Sequence, residues 1–357
     1  MSDATSNGQK LKVVVWDLDH TIWNGVLSEG DDLTLRPAVR ECIETLDARG
    51  ILQSIASRND HAPAWARLEE LGLAEYFLVP QINWGPKSES IAVIAKKINV
   101  GLDTFAFVDD QPFERDEVAF AHPAVRLYDA AQVPTLLGRD EFMPRFVTED
   151  SRERRRLYQR DFQRQEAEER FDGTNDAFLA TLGMTLRVAP AEPGDLERAE
   201  ELTLRTHQLN TTGRTFTHAE LDALRQSPDH RLLVAELTDR FGTYGKIGLV
   251  LLTTTPTTWR IDLFLMSCRV MSRGVGGALI TWLRQEAKAA GVALRAQFVE
   301  TDRNRMMYVT YRFAGFEDVA EENGVSLLEN DLSDVPDMPA YFDFEGRLTT
   351  TEEAATR

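Results

Sequence analysis

Short apolar runs alternate with helically spaced stretches along the first third of the chain. Residues 11–17 form an apolar run that stops at acidic side chains, the pattern of a buried parallel strand with chemistry at its carboxyl end. Residues 37–49 have helical spacing, and Gly50 follows as a stop. Residues 51–56 predict a second strand, ending in Ser57-Arg58-Asn59-Asp60, and residues 62–72 a helix. A third short strand is expected at 76–79, a helix at 88–97, and a fourth strand at 104–108 that ends in Asp109-Asp110. This alternation implies a right-handed, doubly wound α/β domain. Ligands in such sheets sit beyond the carboxyl ends of the strands.

The pattern changes at about residue 141, where Ser151-Arg152-Glu153-Arg154-Arg155-Arg156 opens a highly charged helical stretch. Such a stretch is a solvated connecting helix or a basic docking face. Further on, residues 232–237 and 247–252 predict strands, and residues 259–265 alternate polar and apolar as a half-exposed strand does. A helix at 276–290 and a strand at 293–299 complete a mixed α+β domain on a mainly antiparallel sheet. The expected division is a flexible tail at 1–10, an α/β domain at 11–140, a helical linker at 141–175, an α+β domain at 176–342 and a flexible tail at 343–357.

Composition narrows the classes. The 357 residues include 40 Lys+Arg and 58 Asp+Glu, a formal charge of −18, with 43% hydrophobic residues. That charge argues against a nucleic-acid or anionic-membrane binder, because phosphates would be repelled. No apolar run reaches the length of a membrane span. Two distant cysteines, Cys42 and Cys268, and a polar start without an apolar leader point to a reducing, cytoplasmic setting.

The first half carries phosphate chemistry. Asp17-Leu18-Asp19-His20-Thr21 places two carboxylates two residues apart directly after a strand, on one side of the chain. One can attack phosphorus while the other, protonated, donates to the leaving oxygen. A hard divalent cation needs oxygen ligands, which Asp109 and Asp110 supply. Ser57 can hydrogen-bond a phosphoryl group and Lys87 can neutralise it. In this order the elements resemble the haloacid dehalogenase (HAD) superfamily of phosphatases. That resemblance implies Asp17 as nucleophile and Asp19 as general acid/base. It also implies Thr21, Ser57, Arg58 and Lys87 around the phosphate, and Mg²⁺ on Asp17, the Asp19 carbonyl, Asp109 and Asp110. Only residues 22–36 and 59–81 stand where such enzymes insert cap domains, so no large cap is expected.

In the second half, Arg273-Gly274-Val275-Gly276-Gly277 precedes a helix and offers bare backbone N–H groups to a pyrophosphate. With Tyr311-Arg312-Phe313-Ala314-Gly315-Phe316 it resembles the GNAT acyltransferases, which implies a pantetheine contact at Arg273, Gly274, Gly276 and Gly277. Cys268, between Ser267 and Arg269, is a candidate nucleophile, whereas Cys42 reads as a core residue. The fusion of both halves, together with Ser267-Cys268-Arg269-Val270 and Thr206-His207-Gln208-Leu209-Asn210, resembles the FkbH-like family of glyceryl-acyl carrier protein synthases. Members commonly carry Asn and Phe where this chain has His207 and Leu209. A His near Cys268 is a candidate base.

The resemblance implies 1,3-bisphosphoglycerate as substrate and a phosphopantetheinylated acyl carrier protein as partner, within polyketide or tetronate assembly. Arg152, Arg154, Arg155 and Arg156, or Arg269 and Arg273, are candidate docking residues for such an acidic partner. The alternatives are a stand-alone small-molecule phosphatase, an acetyl-CoA-dependent acetyltransferase and a non-enzymatic scaffold.

Overall fold

A computed structural model describes residues 10–349. It divides into two compact units, residues 1–159 and 160–357. The boundary falls within the expected linker. Residues 1–9 and 350–357 of the expected tails lie outside the described residues.

Unit 1 comprises β1 (Val13–Trp16), β2 (Trp23–Asn24), β3 (Thr34–Leu35), α1 (Val39–Ala48), β4 (Leu52–Ser57), α2 (His61–Glu70), β5 (Gln81–Ile82), α3 (Lys87–Ile98), β6 (Phe105–Asp109), α4 (Pro112–Ala121), β7 (Arg126–Asp129), α5 (Val133–Leu136) and α6 (Glu149–Arg152). Five strands form a parallel sheet in the order β5-β4-β1-β6-β7. β1 is central and buried at every position, as its unbroken Val-Val-Val-Trp run requires. Since β4 and β6 flank β1, the carboxyl ends bearing Asp17, Ser57 and Asp109 converge. The two-residue strands β2 and β3 and the 3-10 turn Leu27–Glu29 between them stand where a cap would insert after the first motif.

The strand expected at 76–79 does not form. Ala74–Tyr76 is a 3-10 turn, Phe77 makes a single bridge to Gln53, and the paired strand is β5. Val79 at φ 51° leaves the extended region, which ends any strand there. β7 escaped the sequence reading because an edge strand of four mostly half-buried residues has no apolar run.

α7 (Arg154–Glu169) carries the division between the units. Of the four arginines around its start, Arg152 and Arg156 are exposed and the other two are turned inward. Arg154 donates to the Gly50 carbonyl at 2.8 Å, and Arg155 is buried against Asp47 at 2.9 Å and over the Tyr76 ring. Arg156 pairs with Glu153 at 2.7 Å.

Unit 2 continues with α8 (Asn175–Thr181), β8 (Met184–Pro190), α9 (Leu196–Arg205), α10 (His218–Gln226), β9 (His230–Asp239), β10 (Gly242–Thr254), β11 (Thr258–Met266), α11 (Val275–Ala290), β12 (Ala293–Phe298), α12 (Arg305–Phe313), β13 (Phe316–Glu322), β14 (Val325–Asn330) and β15 (Phe342–Gly346). The strands form one mixed sheet, ordered β13-β14-β12-β11-β10-β9-β8-β15, antiparallel except at β11–β12 and β8–β15. Alternate residues enter two cores. Leu233, Val250 and Phe264 meet α8, α11 and α12, while Leu232, Leu249 and Leu263 meet α9 and α10. β11 is therefore a central strand, and its last six residues are buried, not half exposed as the pattern suggested. The polar positions Arg260 and Asp262 misled, because their charges pair with each other at 2.5 Å. Residues 343–346 also depart from the expected tail, continuing from Phe342 at the end of the expected domain. Phe342–Gly346 pairs in register with Met184–Val188 as β15, and Phe342 is buried.

Candidate active site

At the carboxyl edge of the unit 1 sheet, one ammonium group stands among three carboxylates. Lys87 opens α3, and its Nζ lies 2.8 Å from Asp17 Oδ1 and 2.5 Å from Asp109 Oδ2. It also pairs with Glu114 on the first turn of α4. All four side chains are nearly excluded from solvent. Burial pushes the Asp17 carboxyl up, opposed by the charge and hydrogen bond of Lys87 and by a hydrogen bond from Ser57. Burial and the nearby Asp17 charge likewise raise Asp109. Burial acts to lower the Lys87 ammonium, but Asp17 and Asp109 outweigh it and raise it overall.

Ligand oxygens of Asp17, Asp109 and Asp110 come within 4.8 Å of one another. Asp110 Oδ1 is buried without a hydrogen-bond partner, an arrangement that costs free energy unless a cation or water satisfies it. The donor set is all oxygen, which fits a hard cation such as Mg²⁺. Asp19 does not join the cluster through its side chain. Its Oδ1 accepts from Trp23 Nε1 at 2.7 Å and Leu27 N at 3.2 Å, and its Oδ2 from Asn59 Nδ2 at 3.0 Å. Those three donors hold the Asp19 carboxylate in place, outside the Asp17, Asp109 and Asp110 cluster.

Thr21 follows the two carboxylates in the same loop. Its hydroxyl accepts the Asp110 N–H at 3.2 Å, so it braces the acidic loop against the first motif. Arg58 stands half exposed, 3.3 Å from Glu114 and 3.4 Å from the Gly85 carbonyl, so Glu114 joins Arg58 and Lys87. Sequence reasoning missed Glu114, Asn59 and Trp23. Each lies within a few residues of a motif, but partnership across different loops has no one-dimensional signal.

In unit 2, β11 and β12 pair only from Thr258–Ile261 to Ala293–Ala296 and then part. The chain's own segment at 209–211 fills the opening. Met266 N–H donates to the Leu209 carbonyl at 2.9 Å, Thr211 N–H to the Phe264 carbonyl at 3.0 Å, and Val299 N–H to the Thr211 carbonyl at 3.0 Å. Buried Asn304 clamps it by donating to the carbonyls of Asn210 at 3.0 Å and Val299 at 2.9 Å. The buried Leu209 position is thereby a stitch in the sheet, and His207 is exposed two residues before it.

Cys268 is exposed just beyond β11, at the start of a 3-10 turn. Neither it nor His207 forms a side-chain hydrogen bond among the described residues. Arg269 is turned back, with Nε 3.5 Å from Ser267 Oγ. Arg273 points inward, buried and 2.9 Å from Glu168, instead of presenting its charge on the outer face of the glycine loop. A side chain at Gly274, whose φ is 73°, would strike the Tyr341 hydroxyl, and one at Gly276 would come 2.7 Å from Met266 Cε. Only Gly277 of the three looks onto open space. Cys42 lies in the unit 1 core, its thiol pushed up to about 12 by burial.

Residues 24–114 match the haloacid dehalogenase-like hydrolase family. No functionally curated protein matches the chain. Among solved structures it is similar to the N-terminal part of a Bacteroides fragilis protein containing a phosphatase domain complexed with Mg. The identity is 26% over 40% of this chain and 42% of that one, with a TM-score of 0.35. The ribosomal-protein-S18-alanine N-acetyltransferase of Escherichia coli is similar at 15% identity, over 43% of this chain and 97% of that one, with a TM-score of 0.34. A GNAT family acetyltransferase from Elizabethkingia anophelis with acetyl-CoA bound gives 16% identity, 41% and 98% coverage and a TM-score of 0.31. Among the described residues no helix is long and apolar enough to cross a membrane.

Proposed function

We propose that the protein is a glyceryl-acyl carrier protein synthase that draws its acyl group from 1,3-bisphosphoglycerate. The HAD-like hydrolase segment in unit 1 accounts for a phosphatase. The transferase half rests on one observation above all, a solvent-exposed thiol, Cys268, presented at the end of a central strand of unit 2.

The Cys268 sulfur attacks the acyl-phosphate carbonyl. A C–S bond forms, the C–O bond to phosphate breaks, and orthophosphate leaves as the thiol proton passes to solvent or to His207. The remaining phosphate is removed in unit 1. The Asp17 carboxylate attacks phosphorus, and the departing glyceryl oxygen takes the Asp19 proton. Water then hydrolyses the aspartyl phosphate and returns a proton to Asp19. Asp17, Asp109 and Asp110 would hold Mg²⁺, which when bound supplies positive charge against the phosphoryl oxygens. Lys87 and Arg58 supply the protein's own cations there. Finally the pantetheine thiol of a carrier protein attacks the thioester, and the Cys268 thiol is released. The acyl phosphate drives loading, and phosphate hydrolysis makes the sequence irreversible.

Intact-mass analysis of a phosphopantetheinylated carrier protein incubated with enzyme, Mg²⁺ and 1,3-bisphosphoglycerate tests this reading. A glyceryl adduct is expected, and Cys268→Ala should abolish it while leaving phosphate release from phosphomonoesters intact. Absence of any adduct refutes the transfer. Phosphatase activity untouched by Cys268→Ala, with no adduct even for the wild type, identifies a stand-alone phosphatase.

A further inference from the structure

We infer that the exposed face of α12 is the docking surface for the carrier protein, an inference that rests on the transfer reading above. On α12, Met307 and Tyr311 face the core and are fully buried. Met306, Val309 and Phe313, spaced by three and four residues, share the opposite face and are 50%, 39% and 90% exposed. A stripe of that kind exposes on the order of a few hundred Å² of apolar surface, comparable to the largest apolar patch on a typical monomer, which is often functional. Nothing in the fold requires it. The helix is anchored by its other face and by Asn304 at its N-terminus.

Charge decides the occupant. One border of the stripe is formed by Arg305 and Arg312, both exposed. Arg305 makes no ion pair among the described residues, and Arg312 reaches Asp318 only at 3.4 Å. On a chain of net charge −18 this is a local cationic margin, suited to a partner that presents apolar and acidic groups together. Beyond the arginines the strand β13 is strongly acidic, with Glu317, Asp318, Glu321 and Glu322. An acidic partner is repelled from that side and confined to the stripe. The other border leads to the glycine loop, since the Thr310 methyl lies 3.9 Å from where a Gly276 side chain would begin. A small acidic helical domain seated on the stripe therefore has its prosthetic arm beside the loop that follows Cys268. Of the arginines expected to dock it from the sequence, Arg154, Arg155 and Arg273 are consumed in contacts of their own, while Arg152 and Arg156 stay exposed and Arg269 is turned back toward Ser267.

The test compares two thiol acceptors, a free-standing phosphopantetheinylated acyl carrier protein and free pantetheine. The variants are Val309→Ser with Phe313→Ser, and separately Arg305→Glu and Arg305→Gln. The expected result is a KM for the carrier raised roughly 10-fold or more, with Arg305→Glu worse than Arg305→Gln. Transfer to pantetheine and phosphatase turnover should stay at wild-type level. Carrier KM values unchanged within about twofold, or equal losses with both acceptors, overturn the assignment. So does a wild-type dimer that the stripe variants dissociate without affecting the carrier, which would make the occupant a second copy of the chain. If the wild type acylates pantetheine but not the carrier, the docking surface fails alone. If it acylates neither, the transfer reading fails and this inference with it.

Discussion

Lys87→Met removes the buried cation shared by Asp17, Asp109 and Glu114, leaving only Arg58, 3.3 Å from Glu114, while preserving most of the side-chain volume. The three acids are buried, so water cannot replace the ammonium. Breaking a buried ion pair by deleting one partner costs about 3–5 kcal/mol. That is a large fraction of the roughly 5–15 kcal/mol that holds a domain folded. Two effects limit the loss. The carboxyls of Asp17 and Asp109 are already pushed up by burial, so they take up protons instead of remaining charged and unpaired. Mg²⁺ at about 100 times its dissociation constant should return roughly 2.7 kcal/mol by binding only the folded cluster. Hydrogen exchange of the full chain, read peptide by peptide, separates the two units. Protection of β1, β4 and β6 should fall by about 3 kcal/mol without metal and recover in part with Mg²⁺, while β10 and β11 stay unchanged. Phosphatase activity should drop at least about 100-fold. A loss below about 1 kcal/mol in β1, or no response to Mg²⁺, would refute the view that Lys87 balances a metal-binding acid cluster.

Other outcomes follow from single contacts. Asn59→Ala deletes the 3.0 Å bond to Asp19 Oδ2 and should lower phosphomonoester turnover roughly 10- to 100-fold, with Mg²⁺ binding by calorimetry unaltered. Thiol labelling at pH 8 should modify Cys268 alone, because Cys42 is 1% exposed. The folded Cys42 value of about 12 stands above its ordinary 9.0, so its contribution to stability is intact below pH 9 and is lost as pH rises toward 12. A second thiol should therefore react only over that window or in denaturant, and rapid labelling of two thiols at pH 8 would contradict the burial. Gly50→Ala combines a φ of 71° with a side chain 2.5 Å from the Ser151 carbonyl oxygen. Urea denaturation should show unit 1 destabilised by about 1–3 kcal/mol.

The candidate site was legible to different depths. Asp17, Asp109, Ser57 and Lys87 could be found because each follows or opens an element whose apolar run ends at it. A chemical group at a strand terminus leaves a break in the pattern. Glu114 and Asn59 leave none, since a carboxylate in the first turn of a helix and an amide in a loop are ordinary on any surface. They matter because α4 and the loop after β4 deliver them to Lys87 and Asp19. The arginine-rich start of α7 shows the reverse error. Arg154 and Arg155 look solvated in one dimension, but Gly50, Asp47 and Tyr76 absorb them.

By itself the sequence determined the α/β character of unit 1, the order of its main strands and helices, the acidic motifs and the different readings of its two cysteines. Those properties are local, because hydrophobic period and residue type are written in consecutive positions. The tertiary structure alone decided which groups meet. The central place of β1 gathers Asp17, Asp109 and Lys87 into one buried cluster. The parting of β11 and β12 admits residues 209–211, and β15 closes the far edge of its sheet. How deeply Cys42 is buried and how openly Cys268 is presented follow from the neighbours that the fold sets around each, a matter of long-range packing that adjacent residues do not encode.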